Sequence, residues 1–168
     1  MLNFLQKGLS KIFGSKSNRD IKSVEPIVTE INLHFEQYQQ LSHDELRAKT
    51  QSFKERIQQY LSEIDAQIVD LTQKAEADDA DLDEKEEIFA RVDKLNKERD
   101  EAIEEVLAEI LPEAFAVVKD AARRFSENEF LRVIATDLDR ELAVKNPHIK
   151  IDGNTAIYPN KLKAAGGK

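Results

Sequence analysis

The strongest constraint on the fold is an apolar stripe at helical spacing that runs through two consecutive stretches and is cut once by a block of acid. Leu46, Phe53, Ile57, Leu61, Ile64, Ile68 and Leu71 recur along the first stretch. From Ile57 onward the intervals are 4, 3, 4 and 3, a heptad-like register. Ser42 and Glu45 form S-x-x-E just ahead of the stripe, the signature of a capping box. A helix over 42–75 would be about 50 Å long at 1.5 Å per residue, so it projects from any small globule. Ile88, Val92, Leu95, Ala102, Val106 and Ile110 then resume the pattern. Between the two stretches, residues 76–87 hold eight acidic side chains and one lysine. That block reads as a polar turn, with Asp83 and Glu84 placed to start the next helix. The pattern predicts a mainly α chain built on a long antiparallel, coiled-coil-like helical hairpin with an acidic tip.

The flanks are shorter and more varied. Residues 1–19 form a basic amphipathic segment: Leu2, Leu5, Leu9, Ile12 and Phe13 share one helical arc, and Lys7 and Lys11 lie opposite. Residues 20–125 make up the helical region that contains the hairpin. Its first helix carries Val24, Val28, Ile31, Phe35 and Tyr38, with Pro26 either opening it or kinking it. Pro112 is expected to end or kink the second long helix and to start another whose apolar face is Phe115, Val118, Ala122 and Phe125. Phe130, Val133, Ile134, Leu138 and Leu142 then suggest one helix over 126–147, closed by Asn146-Pro147. Alternating apolar residues around Asp152-Gly153 predict a small β-hairpin over 148–158. Residues 159–168 form a basic tail.

Charge is distributed unevenly. The chain carries a net −8, yet residues 1–24 and 145–168 each carry +4, which leaves −16 on the middle. A nucleic-acid partner is excluded on this ground, because phosphate binding needs a basic face. With no cysteine, neither a disulfide framework nor a thiolate zinc site can form. No apolar run reaches the length of a membrane-spanning helix. Lys7 and Lys11 interrupt the start, so it does not read as a secretory signal.

Motifs that would carry chemistry fail on inspection. Gly166-Gly167-Lys168 is not a phosphate loop, since Leu162 stands where the first glycine is required and no Ser or Thr follows the lysine. Asp79, Asp81 and Asp83 alternate as in a calcium loop, but Glu84 and Ala90 occupy the positions that need Gly and Glu. His34, His43 and His148 lack partners at metal-ligand spacing. The residues nominate no catalytic, cofactor-binding or metal site. They nominate one contact site: Leu2, Leu5, Lys7, Leu9, Lys11, Ile12 and Phe13, whose apolar stripe and opposed lysines suit an anionic bilayer surface or a neighbouring domain or subunit.

Three segments, in order, resemble the amino-terminal region of the SecA family of preprotein-translocating ATPases. They are the basic helix of residues 2–13, the L-S-x-x-E-L-x-x-K-T cap at 41–50, and P-E-A-F-A-V-V at 112–118. Residues 58–105 and 126–165 stand as insertions against that pattern. The resemblance implies a cytoplasmic motor, peripherally associated with the inner membrane, that uses ATP and Mg²⁺ to drive preproteins through the SecYEG channel. Residues 2–13 would reach anionic lipid and the channel, and homodimer formation is also implied. In the family the nucleotide motifs follow the region matched here, so the resemblance implies a non-catalytic amino-terminal piece. Residue patterns alone also admit a standalone membrane-surface tether or coiled-coil adaptor, or, less favoured, a helical enzyme using scattered carboxylates.

Overall fold

The computed structural model of the chain describes residues 16–77 and 81–160, with side chains from residue 20 onward. Helix α1 spans Lys16–Tyr38, α2 His43–Glu76 and α3 Leu82–Glu127. After α3 come strand β1 (Phe130–Ile134), helix α4 (Asp137–Lys145), and strands β2 (Lys150–Asp152) and β3 (Thr155–Pro159). The described residues are thus mainly helical with one small sheet.

The start of α2 follows from its sequence. Ser42 Oγ accepts from the Glu45 amide at 3.2 Å, and the Glu45 carboxylate accepts from the Ser42 amide at 2.7 Å, closing the capping box. At 34 residues the helix is about 51 Å long. It packs against α3 in the opposite direction: Asp65 meets Arg99, Tyr60 meets Glu105, and Arg56 meets Glu113. Leu61, Ala75, Leu95, Val106 and Ile110 are buried along this seam. Each large aliphatic side chain buried there contributes on the order of 1.5–3 kcal/mol. The acid-rich connection is shorter than the 76–87 block, because α3 begins at Leu82 on the Asp81 cap, with Asp83 and Glu84 in its first turn.

Neither proline ends its helix. Pro26 lies inside α1, and Pro112 lies buried inside the 46-residue α3. A proline costs its helix one hydrogen bond, about 3 kcal/mol in an exposed interior. At Pro112, packing of the surrounding turns outweighs that loss. Helix α1 lies along α3 in the same direction, with Asn32 on Lys119 and the Tyr38 carbonyl on Arg124. Tyr38, Leu46 and Ala116 form the buried centre where α1, α2 and α3 meet, joined by Ile31, Phe35, Leu41, Val117 and Ala121.

The single helix expected over 126–147 is not what forms. Residues 126–127 end α3, Phe130–Ile134 are a strand, and Asp137–Lys145 forms a separate short helix. Burial alternates along β1, with Leu131 buried between exposed neighbours, which is the period of a strand and not of a helix. Thr136 and Asp139 cap each other at the start of α4 and so fix the boundary. The expected hairpin gains a third strand: order β1-β3-β2, both pairings antiparallel, with Val133 opposite Ala156 and Ile151 opposite the same residue. The two-residue turn is Gly153-Asn154, one position later than Asp152-Gly153. Gly153 takes φ 56°, which only glycine adopts freely.

Candidate functional site

The site predicted from sequence, Leu2, Leu5, Lys7, Leu9, Lys11, Ile12 and Phe13, lies outside the described residues, as does 161–168 of the basic tail. What the structure brings together is the root of the hairpin, where charged side chains tie α1, α2, α3 and the sheet into one unit.

Asp120 and Arg124 sit one turn apart on α3, at 0 % and 5 % exposure. Arg124 Nε donates to Asp120 Oδ2 at 2.8 Å, and Arg123 donates twice to Asp120 Oδ1. Arg124 Nη2 reaches across to the carbonyl oxygens of Tyr38 and Leu41, at 3.0 and 2.7 Å. These two carbonyls belong to the turn between α1 and α2, so one buried guanidinium closes that turn against α3. The planar fork of arginine is what allows a carboxylate and two carbonyls to be served at once.

A second brace lies nearby. Tyr38 Oη donates to Glu113 Oε2 at 2.7 Å, and Arg56 donates to the other oxygen. Burial opposes ionisation of Glu113, but the bonds from Tyr38 and Arg56 outweigh it and hold its carboxyl below the ordinary range. Burial and the Glu113 contact together push the Tyr38 hydroxyl up.

The third brace joins α2 to the insertion. Arg47 grips Asp139 with both terminal nitrogens, at 2.8 and 2.9 Å. Tyr158 Oη, the Thr136 amide and the Thr136 hydroxyl also donate to Asp139, which is 1 % exposed. Its burial favours the protonated form, yet the donors win and keep the carboxyl well below the usual carboxylate range. Tyr158 is pushed up to about 12 by burial and by Asp139.

Chemically, the arrangement suits these groups to holding elements together. A carboxyl kept ionised by a guanidinium is a poor proton carrier at neutral pH, so Asp139 and Glu113 serve as anchors. Among the described residues no group of three His, Asp or Glu side chains could hold a metal ion. The sequence holds no glycine-rich loop ahead of a Lys-Ser/Thr pair. His43 instead contacts the Arg132 carbonyl at 3.2 Å through Nδ1. Among the described residues no helix is long and apolar enough to cross a membrane.

The other feature is an uncovered apolar face. Phe115, Val118, Ala122 and Phe125, expected from sequence to share the apolar face after Pro112, lie on one face of α3, and it points outward. Leu107, Leu111, Phe115, Val118 and Phe125 are 39–67 % exposed. At 100° per residue they fall in one arc about 27 Å long. The inner face of the same segment carries Ala116, Asp120 and Arg124. Among the described residues helix α3 thus has its inner face covered and leaves the apolar outer one bare.

The SecA DEAD-like domain family matches residues 9–135, which include the whole of that face. The chain belongs to the SecA family. It is 49 % identical over 160 residues to a SecA protein translocase subunit of Porphyromonas gingivalis, covering 95 % of this chain and 14 % of that protein. A SecA subunit of Parabacteroides distasonis is 44 % identical with the same coverage, and one of Flavobacterium psychrophilum 43 % over 98 % of this chain and 15 % of its own. The chain therefore spans about a seventh of the length of these SecA relatives. No solved structure gives a significant match. Alignment with the relatives runs through both insertions, so the hairpin and the sheet belong to the aligned region of these SecA subunits.

Proposed function

We propose that this chain is the amino-terminal part of a SecA-type motor that couples ATP hydrolysis to preprotein export through SecYEG, and that its own role is structural. The bare face of α3 carries the reading: it lies within the DEAD-like family match, and a soluble chain rarely leaves such a stripe uncovered unless something docks there. In the complete motor the occupant is the remainder of the DEAD-like domain, which holds ATP and Mg²⁺. The α2–α3 hairpin acts as a coiled-coil-like spacer whose root is fixed to α1 by the Arg124 and Glu113 braces. Residues 2–13 supply a reversible contact to anionic lipid and the channel on the cytoplasmic side of the inner membrane, through apolar burial plus lysine attraction.

A phosphate-release assay on the 168-residue chain tests the division of labour. The expected result is no ATP turnover above background. Turnover that scales with chain concentration and survives repurification would overturn the structural role.

A further inference from the structure

Residues 129–159 leave α3 and return to it at one point. Asn160 Nδ2 donates to the carbonyls of Phe125 and Asn128, and the Asn160 amide donates to the Glu129 carbonyl at 3.1 Å. The two ends of the excursion are therefore stitched together. Between them the segment carries its own sheet, with α4 packed on β2.

The excursion meets the long helices along one line. Asp44 Oδ1 accepts from the Ile134 amide at 2.9 Å, His43 contacts the Arg132 carbonyl, and Arg47 reaches the Ile134 carbonyl and Asp139. These bonds cap the outer edge of β1, which would otherwise stand open to pairing. Beside that line, between the helices and the sheet, lies an open cleft of about 310 Å³ whose apolar wall includes Leu46, Val117, Ala121 and, at its exposed rim, Phe125 on the helices, with Leu131 and Val133 on the sheet.

We propose that residues 129–159 are a lid that swings as one body about Asn128 and Asn160, is latched by Arg47 on Asp139, and on opening widens the cleft over Leu46, Val117 and Ala121. The latch is built to release. Asp139 keeps its Thr136 and Tyr158 donors when Arg47 lets go, because both travel with it, so opening does not strand a buried charge. The Arg47 side chain is 36 % exposed, so water replaces its lost partner. The helical body keeps its own seam of Leu61, Leu95, Val106 and Ile110 and does not depend on the lid.

The chain has no cysteine, which makes the test clean. Hydrogen exchange is followed by mass spectrometry on the intact chain, on the Arg47→Gln variant, and on a double variant Asp44→Cys with Ile134→Cys in oxidised and reduced forms. In Arg47→Gln the Ile134 amide, which bonds Asp44 across the latch line, should exchange about tenfold or more faster, while amides bonded between β1, β2 and β3 and those of 50–70 and 95–120 stay unchanged, since a lid that moves as one body keeps its own pairing. The oxidised double variant should slow exchange at position 134, and reduction should restore it. Unchanged exchange at Ile134 in Arg47→Gln, equal acceleration of the paired strand amides or of the long helices, or no effect of the disulfide would each overturn the lid.

Discussion

Arg124 reaches from α3 to the Tyr38 carbonyl, 3.0 Å away, while its Nε holds Asp120 one turn back along its own helix. This buried pair joins the turn between α1 and α2 to α3. Replacing Arg124 by Met would leave Asp120 with Arg123 alone and the Tyr38 and Leu41 carbonyls without their donor. The expected loss is about 3–5 kcal/mol, as for other broken buried pairs. Denaturant unfolding followed by helical circular dichroism measures it, and a loss under about 1 kcal/mol would show the pair to be dispensable.

The capping box at the start of α2 makes a smaller, local contribution. Ser42→Ala should cost about 1 kcal/mol, read as a lower urea midpoint at unchanged slope. Ser62→Ala, on the exposed side of the same helix, should stay within about 0.5 kcal/mol of the parent.

The two sides of α3 should respond differently to substitution. Val118→Ser lies on the bare face and should change the stability of this chain by no more than about 0.5 kcal/mol. Ala116→Leu, at 0 % exposure on the inner face, should cost about 1–3 kcal/mol through overpacking. Equal effects at both positions would mean that the bare face is packed in this chain.

Stability should fall at both ends of the pH range. Asp139 and Glu113 have folded pKa values below their ordinary ones, so they contribute stability above the usual carboxylate range near 4 that is lost as pH falls through their folded values. Tyr158 is raised, so its contribution is present below about 10 and is lost as pH rises toward about 12. Urea midpoints measured across pH should show both slopes, with a shallower acid slope in Arg47→Gln. An acid slope identical to the parent would rule out Arg47 as the main holder of Asp139.

Legibility in the sequence varied with the range of the interaction. The α2 boundary followed from Ser42 and Glu45, and the long paired helices from Leu61, Leu95 and Val106, because caps and stripes are local signals. The strand at Phe130–Ile134 did not, because Phe130, Val133 and Ile134 also fit helical spacing; the Thr136–Asp139 cap was the missed cue. That Phe115 and Val118 share a face followed from their spacing, but that the face points outward did not, because spacing does not say which side of a helix is covered. The partners of Arg47, Arg56 and Arg124 lie 57–92 positions away or on a distant turn, beyond any local pattern. Short P-E-A-F-A-V-V and L-S-x-x-E-L segments carried the family resemblance regardless of these errors.

The most direct test of the central claim is a chimera in which this chain replaces the aligned 160 residues of the Porphyromonas gingivalis SecA subunit, assayed for ATP-driven preprotein transport into membrane vesicles. The chimera should transport at a rate comparable to the parent, and the same chimera with Phe115→Glu and Val118→Glu should not. A folded, equally abundant chimera that fails to transport, or a doubly substituted one that transports as well, would contradict the account.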